Sequence, residues 1–100
     1  MAKRKPTTPG EILQEEYLTP LGLTQKELAN HINYDVKVIN RLVNGRTSVT
    51  APLALQLGAV FNTSPEFWLN AQKAIDIYEA SKKIGQLPTS LIVLGPSSDY

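Results

Sequence analysis

Apolar residues recur at helical spacing along most of the chain, and each run is bracketed by residues that start or stop a helix. Thr8-Pro9-Gly10-Glu11 opens the first. Thr8 suits the N-cap, Pro9 the first turn, and Glu11 the carboxylate position of a capping box. Ile12, Leu13, Tyr17 and Leu18 supply its apolar stripe, and the pattern predicts a break at Thr19-Pro20. Thr24-Gln25-Lys26-Glu27 is a second capping box, with Leu28, Ala29 and Ile32 on the buried side of a short helix. Asn33 tolerates the left-handed backbone of a tight turn. Asp35 then caps a third helix, closed by Asn44-Gly45. Thr50 and Pro52 start a fourth, in which Leu53, Leu57, Val60 and Phe61 share a face. Ser64-Pro65 starts a fifth, over about residues 65–83, which Gly85 stops; Lys82 and Lys83 suit its last turn. No hairpin signal and no internal repeat intervenes. The expected class is all-α with five helices: a flexible basic start over 1–7, a helical domain over 8–84, and a tail over 85–100.

The third helix has two distinct faces. Ile39, Leu42 and Val43 make an apolar stripe, whereas Lys37, Asn40, Arg41 and Asn44 make a polar one with no acid on it. Solvated polar faces are common, so periodicity alone does not assign a role. The turn at Asn33-Tyr34 adds a second sign. Two short helices so joined have the layout of a helix-turn-helix, whose second helix enters the DNA major groove. There, Arg and Lys match the O6/N7 acceptors of guanine, Asn matches adenine bidentately, and an apolar side chain meets the thymine methyl. Val36, Lys37, Asn40 and Arg41 are therefore the candidate base readers. Gln25 at the start of helix two, with Asn44, Arg46, Thr47 and Ser48 at and beyond the end of helix three, are the candidate phosphate contacts.

Composition changes this picture little. The 42% apolar content is ordinary for a globular domain, and the net charge of +1 gives no strong basic signature. Residues 1–50 carry seven Lys/Arg against five Asp/Glu, and residues 51–100 three against four, so what excess exists lies on the motif side. With no cysteine and one histidine, His31, transition-metal ligation is not expected, nor any cofactor. Met1 to Thr8 lacks the apolar stretch of a signal peptide. The aliphatic run Leu91 to Leu94 is far short of the ~20 residues of a membrane span. Ser64 is explained as a cap, Glu15 and Glu16 diverge on a helix, and no Gly-rich phosphate loop is present. No enzyme chemistry is expected, and the expected location is the cytoplasm.

Three stretches resemble a known family: "LTQKELANHI", "INRLVNGR" and "TSPEFWLNAQKAIDIYEA", with "PGEIL" ahead of "LGLTQ". They are similar to the HigA-type antitoxins, helix-turn-helix proteins of the XRE class paired with a RelE-like toxin. The likeness spans about Pro9 to Ala80, and Ser64 to Gln72 is its most specific part. It implies a five-helix, lambda-repressor-like domain that dimerises, represses its own operon and neutralises an mRNA-cleaving partner. It also implies base contacts from Val36, Lys37, Asn40 and Arg41 and a phosphate contact from Gln25. The chain departs from the family pattern at three positions. Thr8 stands where histidine often precedes Pro-Gly, Asn33 replaces the usual turn glycine, and Val38 stands where many members carry arginine.

Helix five is apolar over much of its circumference, as expected of a helix covered on more than one side. Phe67, Ala71, Ala74 and Tyr78 form one stripe, Trp68 and Ile75 a second, and Leu69 and Ile77 widen the arc. The expected dimer interface is Phe67, Trp68, Ala71, Ile75 and Tyr78. A two-fold dimer would set its recognition helices ~34 Å apart, the spacing of successive major grooves. A central core helix in a monomer is the competing expectation. The run Leu91 to Leu94 suits a short strand, an apolar plug or a toxin-docking segment. Lys3-Arg4-Lys5 suits a solubilising start or an arm onto DNA. Glu11, Glu15 and Glu16 offer an acidic face to a basic nuclease.

The expected partners are therefore an operator duplex, a RelE-like toxin and a second copy of the chain. Two alternatives stay open: a stand-alone XRE-class regulator without a toxin, and a protein-sequestering module with an inactive DNA face.

Overall fold

In the computed structural model, the structure describes residues 4–92, and among these every regular element is helical. Residues 9–21 form one helical rod, α1, in three parts: α-helical Pro9–Ile12, π-helical Leu13–Leu18 and α-helical Thr19–Leu21. Four helices follow: α2 (Gln25–Ile32), α3 (Val36–Val43), α4 (Ala51–Phe61) and α5 (Pro65–Ile84).

The caps behave as the local chemistry dictates. Thr8 and Glu11 close one reciprocal capping box, Thr24 and Glu27 the other. Asp35, Thr50 and Ser64 each accept a backbone N–H at the starts of α3, α4 and α5. Asn33 takes the left-handed conformation (φ 60°, ψ 42°), so it does the work of the turn glycine it replaces. Tyr34 N–H then reaches back to the Ala29 carbonyl at 2.9 Å, tying off the end of α2.

The break expected at Thr19-Pro20 is not there. Proline has no N–H, and its ring would collide with the carbonyl four residues back in a regular α-helix. Here the preceding stretch widens into π register, with Thr19 N–H donating to Gln14 O, five residues back. The chain thus carries Pro20 inside the rod and stops only at Gly22 (φ 66°).

All five helices meet in one core. Leu13 and Leu18 of α1 pack with Leu28, Ala29 and Ile32 of α2, Ile39 and Leu42 of α3, and Leu53, Ala54 and Leu57 of α4. Val49 and Trp68 complete it. Trp68 is fully buried, donates its indole N–H to Thr63 Oγ1 at 2.8 Å, and lies 5.5 Å from Tyr17 and 6.4 Å from Phe61 between ring centroids. Aromatic contacts of this geometry add to simple area burial, and this group locks α5 onto α1 and α4.

One close approach positions the third helix. A Cβ placed on Gly10 would stand 1.9 Å from the Leu42 carbonyl oxygen and 2.8 Å from the Val43 Cα. The start of α1 therefore sits directly on the C-terminal backbone of α3, and only glycine permits that contact. No helix among the described residues is long and apolar enough to cross a membrane.

Candidate nucleic-acid interface

The core side of α3 is buried through Ile39 and Leu42, which turns its other side outward. Val36 is 39% exposed, and Lys37, Asn40, Arg41 and Asn44 are all exposed. Val38 is half-buried. The Asp35 carboxylate accepts the Lys37 backbone N–H at 2.9 Å, keeping the first turn of α3 in place.

Gln25, at the first position of α2, is half-buried and stands between α1 and α3. Asn40 Nδ2 donates to Gln25 Oε1 at 3.1 Å, and Asn44 Nδ2 donates to Asn40 Oδ1 at 3.2 Å. The candidate phosphate contact and one candidate base reader are thus hydrogen-bonded to each other. Gln25 Nε2 continues the series to Gln14 Oε1 at 3.3 Å, and Gln14 Nε2 ends it on Thr19 Oγ1 at 3.0 Å. Pattern reading of the sequence missed Gln14 and Thr19. Residues five apart do not share a face of an α-helix, and only the π register brings them together.

Arg46, Thr47 and Ser48 follow Gly45 (φ 71°) in an exposed loop. Arg46 N–H donates to Arg41 O at 2.8 Å, so the loop starts as a tight closure of α3. Its far end is held as well: Val49 N–H donates to Gln72 Oε1 at 2.9 Å, and Gln72 Nε2 donates to Asp76 Oδ1 at 2.9 Å. Gln72, inside the family-specific stretch on α5, therefore anchors the loop, a role the sequence alone did not signal. The loop borders a groove of about 500 Å³ that also includes Lys5, Gly10, Asp76 and Glu79. Lys5 and the exposed Arg4 lie at the start of the chain; Lys3 of the basic arm lies outside the described residues.

Hydrogen bonds also set the charge state of the caps. Glu11 is held below the ordinary glutamate range, first by the Thr8 backbone N–H and then by the Thr8 hydroxyl. Glu27 is lowered in the same way by Thr24. Both carboxylates are committed to helix starts. Of the acidic face expected on α1, Glu15 and Glu16 remain exposed and uncommitted to a cap.

On α5 the expected dimer face needs correction. Trp68 is fully buried and Ile75 is 8% exposed, both packed within their own chain, so neither is available to a second copy. Phe67 is 38% exposed, and Ala71 and Tyr78 are half-buried. The apolar surface that remains runs through Leu69 and the 59%-exposed Ile77, which border an open groove of about 550 Å³ with Val49, Lys73 and Ala80. In the tail, Leu91 and Ile92 are exposed at 98% and 62%; the rest of the Leu91–Leu94 run lies outside the described residues.

Known proteins share this fold. Residues 14–68 match the family model described as Helix-turn-helix, more than half of the chain. An uncharacterized HTH-type transcriptional regulator of Haemophilus influenzae is 44% identical over 79% of this chain and 74% of its own length. Antitoxin HigA-1 of Vibrio cholerae is 40% identical over 81% of this chain and 76% of its own. Among solved structures, the Pseudomonas aeruginosa antitoxin HigA with the higBA promoter superposes with a TM-score of 0.77 at 31% identity, over 80% of this chain and 87% of that one.

The chain belongs to the helix-turn-helix family. Within it, its relatives are HTH-type transcriptional regulators and HigA-type antitoxins, as the resemblance of its motifs implied, and these are not enzymes.

Proposed function

We propose that this chain is a DNA-binding antitoxin and autorepressor: as a homodimer it binds an operator duplex, and by direct contact it neutralises a RelE-like mRNA-cleaving toxin in the cytoplasm. The observation that carries the DNA part is the outward face of α3. Lys37, Asn40 and Arg41 project together beside Gln25, with the Arg46–Ser48 loop next to them. Base readers on a helix flanked by phosphate contacts are what a major-groove reader requires. The likeness to an antitoxin solved with its promoter supports the same reading.

A second copy is the partner best suited to α5. Phe67, Leu69, Ala71, Ile77 and Tyr78 leave apolar surface that the described residues do not cover. Two copies joined there would hold two α3 helices at fixed separation, which lets one dimer engage successive grooves.

The test is Arg41→Ala in the full chain, with a duplex taken from upstream of its own reading frame. Specific binding weakens by ~1–3 kcal/mol if Arg41 reads a base, with binding to the toxin intact. Unchanged operator affinity would remove Arg41 from the base readers, and a parent chain without specific operator binding would leave only the protein-sequestering role. The stand-alone regulator is the second reading, favoured by the Haemophilus relative's description as a transcriptional regulator. Co-expression with the product of the adjacent reading frame decides it, because an antitoxin relieves growth arrest and a solitary regulator does not.

A further inference from the structure

We propose that Gln14, on α1 and outside the two helices of the motif, is a positioning residue for base reading by Asn40. The proposal rests on α3 being the base-reading helix. Its evidence is the order and sense of four side-chain hydrogen bonds. Asn44 donates to Asn40, Asn40 to Gln25, Gln25 to Gln14, and Gln14 to Thr19, over distances of 3.2, 3.1, 3.3 and 3.0 Å. Each NH₂ group donates toward the α1 end, and the amide oxygens of Asn40, Gln25 and Gln14 each accept from the α3 side.

Such a series has a collective polarity. If Asn40 or Gln25 turned over by itself, it would set N–H against N–H on one side and oxygen against oxygen on the other. The four side chains therefore keep one sense or reverse it together. An amide reads adenine by accepting from N6 while donating to N7, so exchanging its oxygen and nitrogen changes which base edge it fits. The sense of Asn40 is thus a property of the whole series, and Gln14 joins that series to α1, where the Thr19 hydroxyl accepts from it and is able to donate as well. Gln14 and Gln25 are half-buried, whereas Asn40 and Asn44 are exposed, so the order comes from the α1 end.

The anchor depends on the π segment. Residues five apart in an α-helix are turned ~140° from each other about the axis. In the π-helical stretch Leu13–Leu18 the Gln14 and Thr19 side chains instead meet directly. The wide turn that accommodates Pro20 also builds the end of the series.

The test uses the full chain and the duplex upstream of its own reading frame, together with single-base variants at the pair whose recognition Asn40→Ala abolishes. Gln14→Met removes both amide partners and lowers discrimination at that pair by ~2–10-fold, the range of one net hydrogen bond. Gln14→Glu still accepts from Gln25, and the Thr19 hydroxyl can rotate to donate, so discrimination stays near that of the parent even if the added charge weakens binding to all sequences alike. In an Asn40→Ala background, Gln14→Met has no further effect on base preference.

A Gln14→Met protein that keeps full discrimination overturns the proposal while leaving α3 as the reader. A loss that is uniform over all duplexes also overturns it, because Gln14 then acts only through phosphate contact by Gln25. If Asn40→Ala itself leaves preference unchanged at every pair, the base-reading assignment of Asn40 fails first. Should Gln14→Met not fold, NMR of the parent decides: cross-relaxation from the Gln25 NH₂ to the Gln14 side chain and from the Asn40 NH₂ to Gln25 is expected, and its absence is equally fatal.

Discussion

Helices α3 and α5 are both amphipathic, yet they meet their surroundings in opposite ways. On α3 one side is apolar and buried and the other is polar, so the sequence leaves a single orientation. On α5 two apolar stripes compete. The stripe containing Trp68 and Ile75 turns inward, and the side chains of Phe67 and Ile77 stay in solvent. A polar face declares itself as a surface, whereas an apolar face declares only that something covers it. What covers it is decided by the volumes of the other helices.

The sharpest way to break this contrast is at Trp68. Trp68→Ala removes the largest fully buried side chain and the indole bond to Thr63, so unfolding free energy falls by ~3–5 kcal/mol in denaturant titration. Phe67→Ala, one residue away but 38% exposed, costs the isolated chain far less; under the proposed dimerisation its effect is read in sedimentation, as weaker self-association. Equal losses for the two would mean that the inner and outer stripes are misassigned.

Gly10→Ala probes how firmly α3 is seated. The added methyl meets the backbone of Leu42 and Val43, which cannot give way as a flexible side chain would. A loss of ~1–3 kcal/mol or more is expected, as for overpacking generally, together with weaker DNA binding because α3 shifts. Full stability with intact binding would show that α1 does not position the reader.

The smallest effect is at the start of α2. Thr24→Ala removes the hydroxyl end of a capping box and costs about 1 kcal/mol. The same box predicts a pH dependence. Glu27 is lowered chiefly by the Thr24 backbone N–H, so its contribution is fully present above the ordinary glutamate range and is lost as pH falls through its folded value. Glu11 adds to the same acid-side slope. Melting temperature should fall with acidification in the parent, and Glu27→Gln should flatten that profile.

The chemistry of short stretches determined much of this protein. Thr8, Thr24, Asp35, Thr50 and Ser64 start helices because each cap is a bond between neighbours two or three residues apart. The turn at Asn33 and the outward cations of α3 are equally local, since each follows from one residue's conformational range or from helical spacing. Tertiary structure decided the rest. Pro20 reads as a stop, yet a widened turn let α1 continue past it. That turn set Gln14 beside Thr19 and within reach of Gln25, an arrangement no α-helical spacing could suggest. Gln72 secures the loop after α3 from 23 residues away. The inner stripe of α5 was chosen by Tyr17 and Phe61, which come from other helices. Bonds between neighbours can be read in one dimension; contacts between distant residues exist only once the helices have packed.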